Sequence, residues 1–165
     1  MGRRLAGRHS ALVQGGKPLS VGHQPVLTLA QLQEYSSHIA FNTALGIQVA
    51  AIESDGVCLL LPWQDMLGGS RSRDHMHGGV IATLIDATCG LTLVAFTGRG
   101  APTVDMRVDF HRGVTPGELR SRGKLLRLGR TLAVLDAEVH DSANKLVASG
   151  RAVFSVGHQD PAPAG

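Results

Sequence analysis

His77, Gly78 and Gly79 stand directly before an apolar run whose only acid is Asp86, and this is where the chain could do chemistry. From Val80 to Phe96 every other residue is Val, Ile, Ala, Thr, Leu, Cys, Gly or Phe, so the run predicts a helix buried on all sides. A lone carboxylate in such a helix is costly unless it is paired or its pKa is raised, and groups perturbed in that way gather at functional sites. Kept from bulk water, Asp86 could take a proton from water or attack an electrophile itself. The plainer reading makes Asp86 a core residue, satisfied by Thr83 or by an arginine.

The elements that would position this segment follow from period and punctuation. Residues 1–27 are rich in Gly, Ser, Gln and basic residues, without an apolar period, and predict a flexible N-terminal tail; residues 159–165 predict a second, C-terminal one. Thr28 is a candidate N-cap for a helix running to Leu45, with Gly46 as its stop. Strands are expected at Ile47–Glu53 and Val57–Leu61, joined by a turn at Ser54-Asp55-Gly56. The apolar helix ends near Gly98-Arg99-Gly100.

Beyond it the period becomes two. In Thr103–His111 the apolar set is Val104, Met106, Val108 and Phe110, with Thr103, Asp105, Arg107, Asp109 and His111 opposite. Glu118–Leu128 sets Arg120, Arg122 and Lys124 against Leu119 and Leu125, and Arg127 breaks the alternation where a bulge would fit. Thr131–His140 and Leu146–Val156 complete the series, with Ala133, Leu135, Ala137 and Val139, then Leu146, Ala148, Ala152, Phe154 and Val156, as inward positions. Short connections between the last four strands predict antiparallel neighbours. The fold class is therefore α+β: about six antiparallel strands wrapped around a long central apolar helix.

At 165 residues the chain is one domain long, and 43% hydrophobic and 18% charged residues are ordinary for a globular protein. With 4% aromatic residues, stacking platforms for nucleic acid are not expected. The net charge of +3 is concentrated between His111 and Arg130, where Arg112, Arg120, Arg122, Lys124, Arg127 and Arg130 face the single acid Glu118. Such a cluster suits the phosphates of a small anionic ligand, or is a solvated strand face. No helical recognition motif accompanies it, which argues against DNA. Cys58 and Cys89 have no CxxC spacing, so neither a disulfide framework nor a zinc site is supported, and reduced cytoplasmic thiols fit. Asp74-His75-Met76-His77 resembles a metal-ligating spacing but supplies no specific geometry; no metal and no cofactor are expected. The basic start Met1–Ser10 lacks the apolar core of a secretory signal. Val80–Phe96 is at the short edge of a membrane span and contains Asp86, so a span is rejected.

Together with Arg99-Gly100-Ala101-Pro102-Thr103-Val104-Asp105-Met106 and Leu128-Gly129-Arg130-Thr131, the His77-Gly78-Gly79 to Asp86 motif resembles the hotdog-fold acyl-CoA thioesterases of the PaaI (phenylacetate-pathway) type, over about residues 47–156. The resemblance implies a hotdog domain at residues 28–158 and a homodimer or tetramer that hydrolyses the thioester of an acyl- or aryl-coenzyme A. By the family motif, Gly78 binds the thioester carbonyl through its backbone amide, Asp86 is nucleophile or general base, and Thr103 assists from the next strand. His77 orients the loop or the carbonyl. Contacts to coenzyme A fall on Gly79, His111, Arg112, Gly129, Arg130 and Thr131.

Physical chemistry agrees independently with part of this. A helix N-terminus offers free N–H groups and a positive dipole end, and Gly78 and Gly79 would let a carbonyl oxygen approach. Gly78 and Asp86 are eight positions apart, about 12 Å along a helix, too far for one carbonyl to touch both. Two antiparallel helices related by a twofold axis would solve this, Gly78 of one subunit facing Asp86 of the other. Arg71 stands where many relatives carry Asn or Gln, and Asp74 where Gly is common, which puts the upstream half of the carbonyl site in question. Two other readings stay open: a non-catalytic acyl-CoA-binding or regulatory module, and a hotdog hydratase or dehydratase, for which His77 lacks an acidic partner. The acyl group depends on how Tyr35, Trp63, Leu91, Leu93 and Phe96 pack.

Overall fold

The alternating segments become six strands in the computed structural model, which describes residues 23–72 and 74–157. These are β1 (Gln48–Ile52), β2 (Val57–Leu61), β3 (Thr103–Phe110), β4 (Leu119–Leu128), β5 (Leu132–His140) and β6 (Leu146–Ser155). All neighbours are antiparallel, in the order β1-β2-β4-β5-β6-β3. Among the described residues three α-helices accompany them, α1 (Leu29–Ser37), α2 (Ala40–Leu45) and α3 (Gly78–Thr97), with a single 3-10 turn at Asp65–Leu67. The sheet wraps α3, the hotdog arrangement expected above. By length and hydropathy α3 could cross a membrane. It is instead the core helix, burying Ile81, Leu84, Ile85, Cys89, Leu91 and Leu93 among the strands.

Four details depart from the sequence reading. First, β3 does not neighbour β4; it lies at the sheet edge against β6, from Thr103 opposite Phe154 to Phe110 opposite Ala148. The connection between β3 and β4 is no tight turn, since Val114 within it is buried and its carbonyl accepts from the Met76 amide. Second, an edge strand is covered on one side only, so Val104 and Phe110 are each 55% exposed rather than core. Third, the single helix expected over residues 28–45 is broken at His38 and Ile39. The Ser37 hydroxyl and the His38 ring both engage the Glu34 carbonyl, which competes with helix continuation. Fourth, α3 is not buried all round: Ala82, Thr83, Asp86, Ala87 and Gly90 form a half-buried stripe at helical spacing.

Other expectations hold. The irregularity anticipated at Arg127 is a register shift between Leu125 and Arg127 against β5. Gly46 and Gly98 end α2 and α3 in the left-handed conformation, both at φ 71°. The Val26 and Leu27 amides, in the segment read as tail, donate to the Ala95 carbonyl at 2.8 and 3.3 Å and so tie those residues to α3. The rest of the expected tails, residues 1–22 and 159–165, lies outside the described residues.

Gly56 shows how tightly the first hairpin docks. A Cβ there would overlap the Gly123 backbone oxygen, which cannot swing aside as a side chain can. Gly56→Ala should therefore destabilise the fold by about 3 kcal/mol, seen as a lower urea midpoint; an unchanged midpoint would refute the contact.

Candidate active site

Thr103 donates its hydroxyl hydrogen to Asp86 Oδ1 at 2.9 Å. Simple alternation points Thr103 away from the helix, together with Asp105 and Arg107. The β3–β6 register shifts between Thr103 and Asp105, and a one-residue slip moves a side chain to the other face of a sheet. Asp86 itself is half-buried, not sealed in the core, and makes no ion pair among the described residues. Thr83, a candidate partner on sequence grounds, is not one. Alone among the threonines of α3, its hydroxyl makes no hydrogen bond within the described residues, whereas those of Thr88, Thr92 and Thr97 each donate to the carbonyl four positions back. Thr103→Val should lower kcat/KM about tenfold, since one hydrogen bond to a charged group is worth ~1.5 kcal/mol, with the circular dichroism unchanged.

Asp86 and Thr103 border a cavity of about 300 Å³. Thr83, Ala87, Gly90, Leu91 and Val94 line it from α3, Tyr35, Ile39, Phe41 and Asn42 from the α1–α2 pair, and Gly100, Ala101 and Phe154 close it. Of the residues expected to shape an acyl pocket, Tyr35 and Leu91 do line this space. Leu93 and Phe96 are buried in the core, and Trp63 packs against it. Ile39, Phe41 and Asn42 had no signal in the sequence, because only the break between α1 and α2 turns them toward Asp86.

The other half of the motif lies elsewhere. His77 is the N-cap of α3, and its Nδ1 accepts from the Gly79 amide at 2.9 Å. That commits Gly79 N–H, while Gly78 N–H has no acceptor among the described residues. A Cβ on Gly78 would stand 3.5 Å from the Phe110 ring, ordinary contact. Gly78 and His77 do not border the cavity beside Asp86, as the helical spacing requires.

The phosphate candidates separate in the same way. His111 and Arg112 follow Phe110, at the Gly78 end of β3, and the His111 ring is 2.9 Å from Ser149 Oγ. Gly129, Arg130 and Thr131 form the β4–β5 turn at the other end, the end that holds Thr103; Thr131 O accepts the Val156 amide there. The eight residues of β3 span about 26 Å, so one chain cannot bring both groups to one phosphate cluster.

Two members of the basic cluster, Arg122 and Lys124, are paired internally, and outside the cluster so is Arg151. Arg122 bonds Glu53 and reaches Asp55, and the Glu53 bond above all holds its guanidinium charged; Arg151 pairs bidentately with Asp136. In the loop before α3, Arg71 is exposed, and Asp74 is bonded by Ser70 at 2.6 Å and lies 3.1 Å from His75 Nδ1. The Ser70 hydroxyl, then His75 and Ser72, hold that carboxyl below the usual carboxylate range. Burial, and next the Asp86 charge, push the Cys89 thiol up, which removes it as a rival nucleophile.

A sheet of six antiparallel strands around one helix, with a helix-borne carboxylate on a cavity wall, defines a hotdog domain. The thioesterase superfamily model matches residues 74–148. The medium/long-chain acyl-CoA thioesterase YigI of Escherichia coli is 30% identical over 135 residues, covering 73% of this chain and 87% of YigI. Among solved structures, a thioesterase superfamily protein superposes with a TM-score of 0.75 at 37% identity, covering 78% of this chain and 97% of its own. The Haemophilus influenzae thioesterase HI1161 shares the fold, with a TM-score of 0.72 at 24% identity over 81% of this chain and 92% of its own. The chain belongs to the thioesterase superfamily, as a thioester hydrolase.

Proposed function

We propose that the protein hydrolyses acyl-coenzyme A to the free acid and coenzyme A, with Asp86 as nucleophile or general base. The observation that carries this reading is Asp86, held by Thr103 on the wall of a mainly apolar cavity and free of any ion pair among the described residues. Both routes require that: a carboxylate bordering the reaction space and not tied to a cation. The Gly78 amide stabilises negative charge on the thioester oxygen as the nucleophile, either Asp86 or water deprotonated by it, adds and the coenzyme A thiolate leaves; an acyl-Asp86 anhydride formed on the first route is then hydrolysed by water. His77 fixes the turn through Gly79, which directs the remaining amide outward.

The assembly in this reading is a twofold homodimer, paired again in a tetramer. The half-buried stripe around Asp86 and the uncovered edge of β3 with Val104 and Phe110 are the surfaces a second copy would cover. With the two α3 helices antiparallel, Gly78 of one subunit meets Asp86 of the other. The His111–Arg112 end of one β3 then meets the Arg130 end of the other, so the split phosphate candidates come together. The spacing from His77-Gly78-Gly79 to Asp86 supports the PaaI type, and the free thiols of Cys58 and Cys89 suit a cytoplasmic setting.

The test is thiol release from short, medium, long and aromatic acyl-coenzyme A substrates. Turnover on at least one class is expected. Tight binding without thiol release would instead favour the regulatory module. Loss of enoyl absorbance without thiol release would favour the hydratase.

A further inference from the structure

Gly90 lies one helical turn beyond Asp86 on the same face of α3, and Val94 one turn further; all three border the cavity. Glycine is a poor helix former, so its place in the middle of a core helix calls for a reason. Packing supplies that reason for the glycines opposite α3. A Cβ on Gly150 would come within 2.7 Å of Ile85 Cγ2, and one on Gly123 would collide with Thr92 Oγ1. Packing within one subunit does not supply it for Gly90, where a Cβ would meet only Phe154 Cε1 at 3.7 Å and Cζ at 3.9 Å, ordinary contacts. The missing side chain leaves room on the wall of the cavity that Asp86, Gly90, Val94, Tyr35 and Ile39 all line.

We infer that the acyl chain of the substrate lies along this face of α3, from Asp86 past Gly90 to Val94, and that Gly90 sets the depth of the acyl pocket. The inference rests on the acyl-coenzyme A reading above and specifies its substrate as a medium-length, unbranched, uncharged acyl group. Asp86 to Val94 spans about 12 Å at the helical rise, and an extended alkyl chain advances about 1.3 Å per carbon, so about nine carbons fit. Ile39, Leu91, Val94 and Phe154 give that path apolar walls, and Asp86 at its mouth is the one charged residue on the lining.

The experiment compares wild type, Gly90→Ala and Gly90→Leu on acetyl-, hexanoyl-, octanoyl-, decanoyl- and palmitoyl-coenzyme A, with melting temperature as the check on folding. Wild type should peak at octanoyl or decanoyl. Gly90→Leu should lose about tenfold or more in kcat/KM on those two while acetyl stays within about twofold, with Gly90→Ala in between. An unchanged chain-length profile, or an equal loss on every length in either folded variant, would overturn the inference. Calorimetry with the non-hydrolysable octyl and ethyl thioethers of coenzyme A separates it from the proposed function. Absent thiol release in wild type defeats the hydrolase reading alone. Octyl binding that Gly90→Leu does not weaken defeats the pocket.

Discussion

Asp86→Asn is expected to lower kcat/KM for the best acyl-coenzyme A by about 10³-fold or more, with fold and melting temperature retained. Asparagine has nearly the same shape, and its side-chain oxygen can still accept from Thr103, so the hydrogen bond seen at 2.9 Å survives. What disappears is the charge and basicity that either catalytic route needs. The loss should far exceed that from Thr103→Val, because the threonine only holds the carboxylate. Thiol release on matched protein concentrations measures the effect. Undiminished hydrolysis by a folded Asp86→Asn protein would remove Asp86 from the mechanism.

Restored activity from two inactive variants is the second large effect. Gly78→Pro deletes the amide of the turn that has no acceptor among the described residues, and proline is favoured at the first position of a helix. His77 already has the extended conformation, φ −67° and ψ 131°, that a residue before proline requires. Alone, this variant should lose about 10²-fold or more in kcat, the usual cost of removing an oxyanion donor. Co-expressed with Asp86→Asn, half of randomly paired dimers are mixed, and each has one site with Gly78 from one subunit and Asp86 from the other intact. Recovery to about one quarter of wild-type activity is expected, an outcome that only shared sites produce. Activity no higher than that of the variants alone would place Gly78 and Asp86 in the same subunit's site or dismiss one of them.

Local pattern made much of this molecule legible. Strands β4 and β5 follow period-two segments whose inward residues are the buried ones, because one face of each meets the helix. The central helix, its Gly98 stop and the bulge near Arg127 were readable for the same reason: each depends on a few adjacent residues. The distance from Gly78 to Asp86 was also legible, since a helix has a constant rise.

What escaped were consequences of distant pairing. No local rule sends β3 past β4 to the edge beside β6, and from that placement follow the exposure of Val104 and Phe110 and the register slip that turns Thr103 toward Asp86. Neither does any rule show that Ile39, Phe41 and Asn42 would enclose a cavity, because the break after α1 is made by side chains competing for one carbonyl. By itself, then, the sequence determined the elements, the acid and the glycine turn, all of which are set by neighbours along the chain. Only the tertiary structure decided which hydroxyl serves Asp86, how far Gly78 and the phosphate candidates stand from it, and which glycine is left with room to spare. Those depend on contacts between residues far apart in sequence, whose geometry is set by how the sheet closes around the helix.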